Sequence, residues 1–380
     1  MTSTPYGPFD QRPPEHPEPD PALAGYPPPV QPYASAAIAP YAYLPVLPIK
    51  RSALPDEPRL YHQMLRGPRR RWWRPLVALL LIVPLALPLM FAAIIPVALL
   101  GVIQGVPDLS SYVASVSSIE DLGPAGLLYV NLALATLIPT AGLSIWIAHR
   151  IRPRYVSSVA GGLRWRWLLR CLVVTLPVWS LYIGLGYLTD PPPDSARPDH
   201  WVLLLILVLL LTPFQSAGEE YLFRGWIMQN IGSYFARPLV GLIISLTVST
   251  VAFSAAHLSP DPWVFGSLGC LAVASGIAAW RTGGLEAGIV MHAVNNVLVF
   301  CVVIIFGGFE TIFVNTETTG TPMMLITAVV AHGAVLALIL WQAKRQRIDP
   351  YYRPAPVLGS TYEAPIDATW NPIPTLNRTP

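Results

Sequence analysis

Eight long apolar runs constrain the fold of this chain more than any other feature of its sequence. Each run approaches or exceeds the roughly 20 residues that a helix needs to cross a bilayer. The runs are continuous rather than alternating, which predicts helices and not barrel strands. Charged residues make up only 12% of the chain, about half the share typical of soluble domains. We therefore predict an all-α, polytopic membrane helix bundle of about eight transmembrane helices, at residues 75–103, 124–148, 167–188, 201–223, 238–257, 262–280, 285–307 and 322–342.

Basic residues alternate along the chain in the way that the positive-inside rule requires. Arg and Lys collect before the first span and after the second, fourth, sixth and eighth, whereas the other loops are acidic and carry Arg197 as their single basic residue. Both termini are therefore expected in the cytoplasm. Since the basic residues lie beside the spans and form no aromatic-interleaved groove, we expect a lipid bilayer and no nucleic acid as a partner.

Proline-rich segments flank the predicted bundle. Residues 1–66 mix Pro with Tyr and Ala, a composition that cannot form regular helix or bury enough apolar surface to order itself. The sequence thus predicts a disordered Pro-rich cytoplasmic tail at 1–66, a transmembrane helical domain at 67–347 and a disordered cytoplasmic tail at 348–380. A solvated tail and a ligand for a Pro-binding partner both remain open.

Ionisable side chains within spans are expensive and mark functional sites. Glu219 and Glu220 end the Leu-rich fourth run and are followed by Arg224. Glu220 and Arg224 are i,i+4 neighbours that can pair, whereas Glu219 points about 100° away and is left for chemistry. A polar helix end at the membrane surface is the structural alternative.

Two further polar motifs follow on later spans. His257 ends the fifth span, where an interfacial residue would be ordinary. His292 and Asn296 lie inside the seventh span and share a helix face, where hydrogen bonding between helices would also account for them. Together with the carboxylates they form a set suited to peptide hydrolysis: a base for water, a His to orient it and donors for an oxyanion.

The three motifs, in this order, resemble those of the CPBP family, the CAAX-prenyl-endopeptidase and bacteriocin-processing membrane proteins also called Abi. The matching residues are Glu219-Glu220-x-x-x-Arg224, Phe253-x-x-x-His257 and His292-x-x-x-Asn296, with Arg281-Thr282-Gly283-Gly284-Leu285 leading into the third. The resemblance covers about residues 165–307.

The resemblance implies a role for each motif residue. Glu219 would be the catalytic carboxylate, His257 would help it activate water, and Glu220 with Arg224 would orient Glu219. His292 and Asn296 would form the oxyanion site. Family members are described both as metalloproteases and as glutamate-dependent enzymes, so a zinc ion on Glu219, His257 and His292 remains open. The sequence contains no HExxH, and we favour the mechanism without a metal.

The depths of these residues conflict if every span is straight. Glu219 would lie near the cytoplasmic end of its span and His257 near the outer end of the next. We therefore predict that the fourth helix continues past Arg224 toward Asn230. We also predict that the turn at Ser259-Pro260-Asp261-Pro262 is sunk into the bundle.

Three smaller predictions concern other polar residues in the spans. His332 and Asn131 are expected to hydrogen-bond to neighbouring helices, and Glu286 is expected to pair with Arg281 at the interface.

The leading hypothesis is an intramembrane endopeptidase acting on a membrane-associated protein or peptide in the plasma membrane of a bacterium. A non-catalytic membrane scaffold or bacteriocin-immunity-type protein that retains the fold is the main alternative, and a proton-relaying transporter is a third.

Overall fold

The structure, a computed structural model, describes residues 52–116, 123–189, 197–309 and 313–354. It is almost entirely helical and contains eight helices long and apolar enough to span a membrane. This confirms the predicted fold class. The spans, α1 to α8 in chain order, are Arg74–Ile103, Pro124–His149, Trp165–Thr189, Trp201–Gly232, Pro238–Ala255, Pro262–Thr282, Glu286–Phe306 and Pro322–Arg345.

Three of the spans are not uniform α-helices. The first breaks at Ala93, after Pro84 and Pro88, and the second breaks at Thr136. The fourth is an α-helix at Trp201–Glu220, a π-helix at Tyr221–Ile227 and an α-helix again at Met228–Gly232. Shorter helices lie at Tyr61–Gln63 (a 3-10 helix), Leu109–Val116 and Arg154–Ser157.

Large apolar side chains point outward along the spans. Leu80, Ile103 and Val173 are each more than 70% exposed in the protein alone. Such a surface would be unfavourable in water and is the surface that lipid tails cover. The exposed apolar faces therefore agree with a helix bundle in a bilayer.

The fourth and seventh spans pack against each other at the centre of the bundle. The second span covers the α-helical first part of α4, while α3 and α6 pack against α7. Gly218 permits the close approach of α4 to α2, because a Cβ atom there would collide with the carbonyl oxygen of Leu134. This packing fixes how far α4 is shifted along α2, and how it is rotated about its own axis, at the residue before Glu219.

The continuation of the fourth helix past Arg224 is confirmed, since α4 runs to Gly232. The prediction of a sunken turn after His257 was wrong. Pro260 and Pro262 are exposed, and only Ser259 of this turn is buried, where its hydroxyl donates to the carbonyl of Thr318 at 3.1 Å. Asp261 of this turn caps α6, accepting from the backbone N–H groups of Trp263 and Val264.

The boundaries predicted for the two tails also differ from the structure. Tyr61, Met64 and Leu65 are buried, and the Tyr61 hydroxyl donates to the carbonyl of Val156. Residues Arg59–Leu60 (β1) pair antiparallel with Tyr351–Tyr352 (β2). The segment 52–66 is ordered because its few apolar side chains pack against the helix bundle. Its Pro-rich composition gave no indication of this packing. Residues 1–51 and 355–380 lie outside the described ranges.

His62 makes the docking of this segment pH-dependent. Its ring is fully buried and donates from Nε2 to the Pro238 carbonyl at 3.0 Å, while its Nδ1 has no partner among the described residues. Burial lowers the pKa of His62 from 6.5 to about 4. As the pH falls from 6.5 to 4, the unfolded chain therefore binds a proton that the folded chain does not, and the free energy of unfolding falls, by roughly 3 kcal/mol at most.

We expect the thermal unfolding midpoint of the purified protein in detergent to fall between pH 6.5 and 4, and to fall less in the variant His62→Gln. Glutamine can still donate to Pro238 but does not titrate, so the difference between the two proteins isolates the imidazole. Equal pH dependence in both proteins would contradict this assignment.

Candidate active site

Two adjacent carboxylates on α4 lie in different surroundings. The Glu220 side chain is fully buried, whereas the Glu219 side chain retains 11% exposure. The π-helical turn begins at the next residue, Tyr221. π-Helical turns are rare in proteins, and many of those known lie at functional sites. Glu219 is thus the carboxylate of the two that a water molecule or a substrate could reach.

Glu220 is held by two partners. Its Oε1 lies 3.0 Å from Nη1 of Arg224 and 3.1 Å from Nδ1 of His292. Arg224 is itself fully buried, with its guanidinium carbon 4.3 Å from the centre of the Phe253 ring. The structure therefore forms the predicted i,i+4 pair and adds His292 and Phe253 to it.

His292 contacts both carboxylates. While its Nδ1 faces Glu220, its Nε2 lies 3.8 Å from Oε2 of Glu219. That distance is too long for a direct hydrogen bond. With a proton on Nδ1 donated to Glu220, the neutral ring directs Nε2 toward Glu219; a protonated ring would donate from both sides. Either way, the orientation of the imidazole is set by Glu220.

Asn296 lies one turn beyond His292 on α7 and joins the same group. Its Nδ2 is 3.3 Å from both Oε1 of Gln215 and Oγ of Ser216 on α4. Gln215 in turn donates its Nε2 to Oε1 of Glu219. Gln215 was not among the predicted site residues, although an amide in an apolar run one turn before Glu219 was a visible signal.

His257 lies at the edge of this group. Its ring is half-buried, with Nδ1 2.9 Å from the carbonyl of Phe253 and the two ring centres 5.0 Å apart. The opposite neighbour of Phe253 is His292, at 5.5 Å between ring centres. In the described part of the chain, Glu219 forms an ion pair with His292 and none with His257.

The residues that could hold a metal do not converge. Among the described residues, no group of three or more His, Cys, Asp or Glu side chains is arranged to bind a metal ion. Of the three zinc candidates, Glu219 and His292 are neighbours, and His257 is joined to them only through Phe253. A catalytic zinc ion normally requires three protein ligands, so this donor set does not fit one.

Three polar residues in other spans differ from their predictions. His332 packs edge-to-face against Trp179 at 4.8 Å between ring centres, and its Nδ1 has no hydrogen-bond partner among the described residues. Asn131 donates to Leu127 of its own helix. Glu286 binds Arg164, with Oε2 2.7 Å from Nη2, in place of the predicted pair with Arg281. Arg164 lies just before α3, far from Glu286 in the chain, so the pairing of the two residues was not apparent from the sequence.

Comparison with known proteins identifies the region that contains this site. Residues 198–298 match the family model described as type II CAAX prenyl endopeptidase Rce1-like. An uncharacterized protein of Bacillus subtilis (strain 168), YyaK, is 29% identical over 227 residues, which cover 53% of this chain and 72% of that protein. No solved structure gives a significant match.

The matched region comprises α4, α5, α6 and most of α7, and it carries all three motifs in their predicted order. Residues 198–298 are therefore similar to type II CAAX prenyl endopeptidases, which supports the resemblance of this chain to the CPBP family.

Proposed function

We propose that this protein is an intramembrane endopeptidase that hydrolyses a peptide bond in a membrane-associated protein or peptide. The observation that carries the proposal is the position of Glu219. It is the partly exposed member of a buried carboxylate pair, next to His292 and linked through Gln215 to Asn296. The match of residues 198–298 to the CAAX prenyl endopeptidase family model supports the same proposal.

In this mechanism Glu219 is the general base. Its carboxylate takes a proton from a water molecule as the water oxygen attacks the carbonyl carbon of the scissile bond. The tetrahedral intermediate then collapses, the C–N bond breaks, and the same proton passes to the leaving amine. A glutamate within a low-dielectric bundle is suited to this step because few waters compete for it.

His292 and Asn296 are the proposed donors to the oxyanion; because Nδ1 of His292 faces the Glu220 carboxylate, Nε2 donates only when the ring is protonated. They lie one turn apart on α7, and both approach the Glu219 side of α4. Fixed donors in a site that excludes bulk water stabilise developing negative charge far better than mobile ones in solution. His257 is proposed to help Glu219 hold the water, a role that its half-buried ring beside Phe253 permits.

Glu220 and Arg224 are proposed to orient the site rather than to react. Both are fully buried and in mutual contact at 3.0 Å. Glu220 also fixes His292 through Nδ1. The charge on Glu220 is thus balanced by Arg224 and held by His292, which leaves Glu219 as the base.

The matched family and the charge pattern support a proposal for the substrate and the cellular setting. We propose a peptide that is bound to the bilayer near its cleavage site, of the CAAX type that the matched family's description names. The proposed location is the plasma membrane of a bacterium, with both termini in the cytoplasm, as the alternation of basic loops favours.

Replacing the base or the oxyanion donors should abolish cleavage while preserving the fold. We expect Glu219→Gln to lower kcat by about a thousandfold and His292→Ala or Asn296→Ala by on the order of a hundredfold. The measurement uses purified protein in liposomes and a quenched fluorescent peptide that ends in a farnesylated Cys-aliphatic-aliphatic-X sequence.

Glu317→Gln is the matched control, since it removes an exposed carboxylate far along the chain from the site. It should leave kcat unchanged. If Glu219→Gln and His292→Ala cleave as fast as the wild type, the proposal is wrong and the non-catalytic scaffold becomes the better hypothesis.

The proposal assigns no step to a metal, because the candidate ligands Glu219, His257 and His292 do not form a three-ligand group. Cleavage should therefore persist, within about twofold, after prolonged incubation with 1,10-phenanthroline or EDTA. A loss of activity that zinc restores would contradict the glutamate-dependent mechanism.

A further inference from the structure

Gln215 is buried in α4 with 8% of its surface exposed. It precedes Glu219 by one helical turn, so both side chains lie on the same face. An amide in an apolar span is unfavourable unless each of its polar atoms is bonded. Gln215 meets that requirement entirely through residues of the candidate site.

The contacts of the two ends of the amide are different. Its nitrogen donates to Oε1 of Glu219, and its oxygen accepts from Oγ of Ser216 at 3.1 Å and from Nδ2 of Asn296 at 3.3 Å. An ionised carboxylate can only accept, whereas the Asn296 amide nitrogen can only donate. The amide of Gln215 therefore fits between them in one orientation.

We propose that Gln215 is a positioning residue that holds the Glu219 carboxylate and the Asn296 amide in register across the α4–α7 interface. This inference rests on the proposed endopeptidase function and deepens it. The three motifs of the family resemblance do not include Gln215. Gln215 bridges Glu219, the proposed base, and Asn296, one proposed oxyanion donor. Its contribution is to keep these two side chains directed at the same bound peptide carbonyl.

Fixing a carboxylate by one hydrogen bond leaves the opposite oxygen in a defined direction. In Glu219 that oxygen, Oε2, is the one nearest to Nε2 of His292. Without Gln215, the carboxylate could rotate about its last side-chain bond, and Asn296 would lose a bond that sets its amide plane. Both losses affect the reacting geometry more than peptide binding, so they should lower kcat and leave KM nearly constant.

The test compares Gln215→Met, which has a similar volume and no amide, with Thr212→Val as the matched control. Thr212 is also buried on α4, and its hydroxyl has no hydrogen-bond partner among the residues described. We expect Gln215→Met to lower kcat for the farnesylated peptide by 10- to 100-fold, as for a hydrogen bond to a charged group, with KM changed less than about twofold. Thr212→Val should change neither.

A second variant removes the donor while keeping the size of the side chain. Gln215→Glu keeps the size and polarity of the side chain but places a second acceptor against Glu219. We expect a loss of kcat at least as large as in Gln215→Met. Unchanged kcat in both variants would overturn the proposal, as would an equal loss in Thr212→Val.

An infrared measurement on the full-length protein separates this inference from the proposed function. The carboxylate stretching band that disappears in Glu219→Gln should shift in Gln215→Met and stay in place in Thr212→Val. An unshifted band overturns the role of Gln215, whatever happens to the peptide. A shifted band with no cleavage by the wild type supports the hydrogen bond and refutes the endopeptidase.

Discussion

The buried ion pair between Glu220 and Arg224 is the interaction on which the candidate site depends. Both side chains are fully buried, and neither charge would be tolerated there alone. Glu220 also accepts a hydrogen bond from Nδ1 of His292, and the guanidinium group of Arg224 lies over the Phe253 ring. The pair therefore joins α4 to α5 and α7, the helices that carry the other two motifs. This arrangement also positions His292 beside Glu219.

Much of the fold was predictable from hydropathy and charge alone, because a bilayer permits few structures. The eight predicted spans agree with the observed helices to within a few residues at nearly every end, and the exception, α4, was expected to extend. The i,i+4 contact of Glu220 with Arg224 also follows from helix geometry. Residues close together in the chain determine these features, which is why the sequence was sufficient.

Features set by contacts between distant segments were not predictable in the same way. Burial of Tyr61 in a Pro-rich segment and the Arg164–Glu286 pair both depend on partners far away in the chain. His257 and His292 are linked through Phe253, whose ring contacts both imidazoles. No pattern in the sequence encodes this contact between α5 and α7.

The most direct test of this account is a double-mutant cycle on Glu220→Gln and Arg224→Met, with the free energy of unfolding measured in detergent. If the pair anchors the site, each single variant leaves an unpaired buried charge and should lose about 3–5 kcal/mol. The double variant removes both charges and should lose clearly less than the sum of the two. Strictly additive losses would show that the two side chains are independent and would contradict the account.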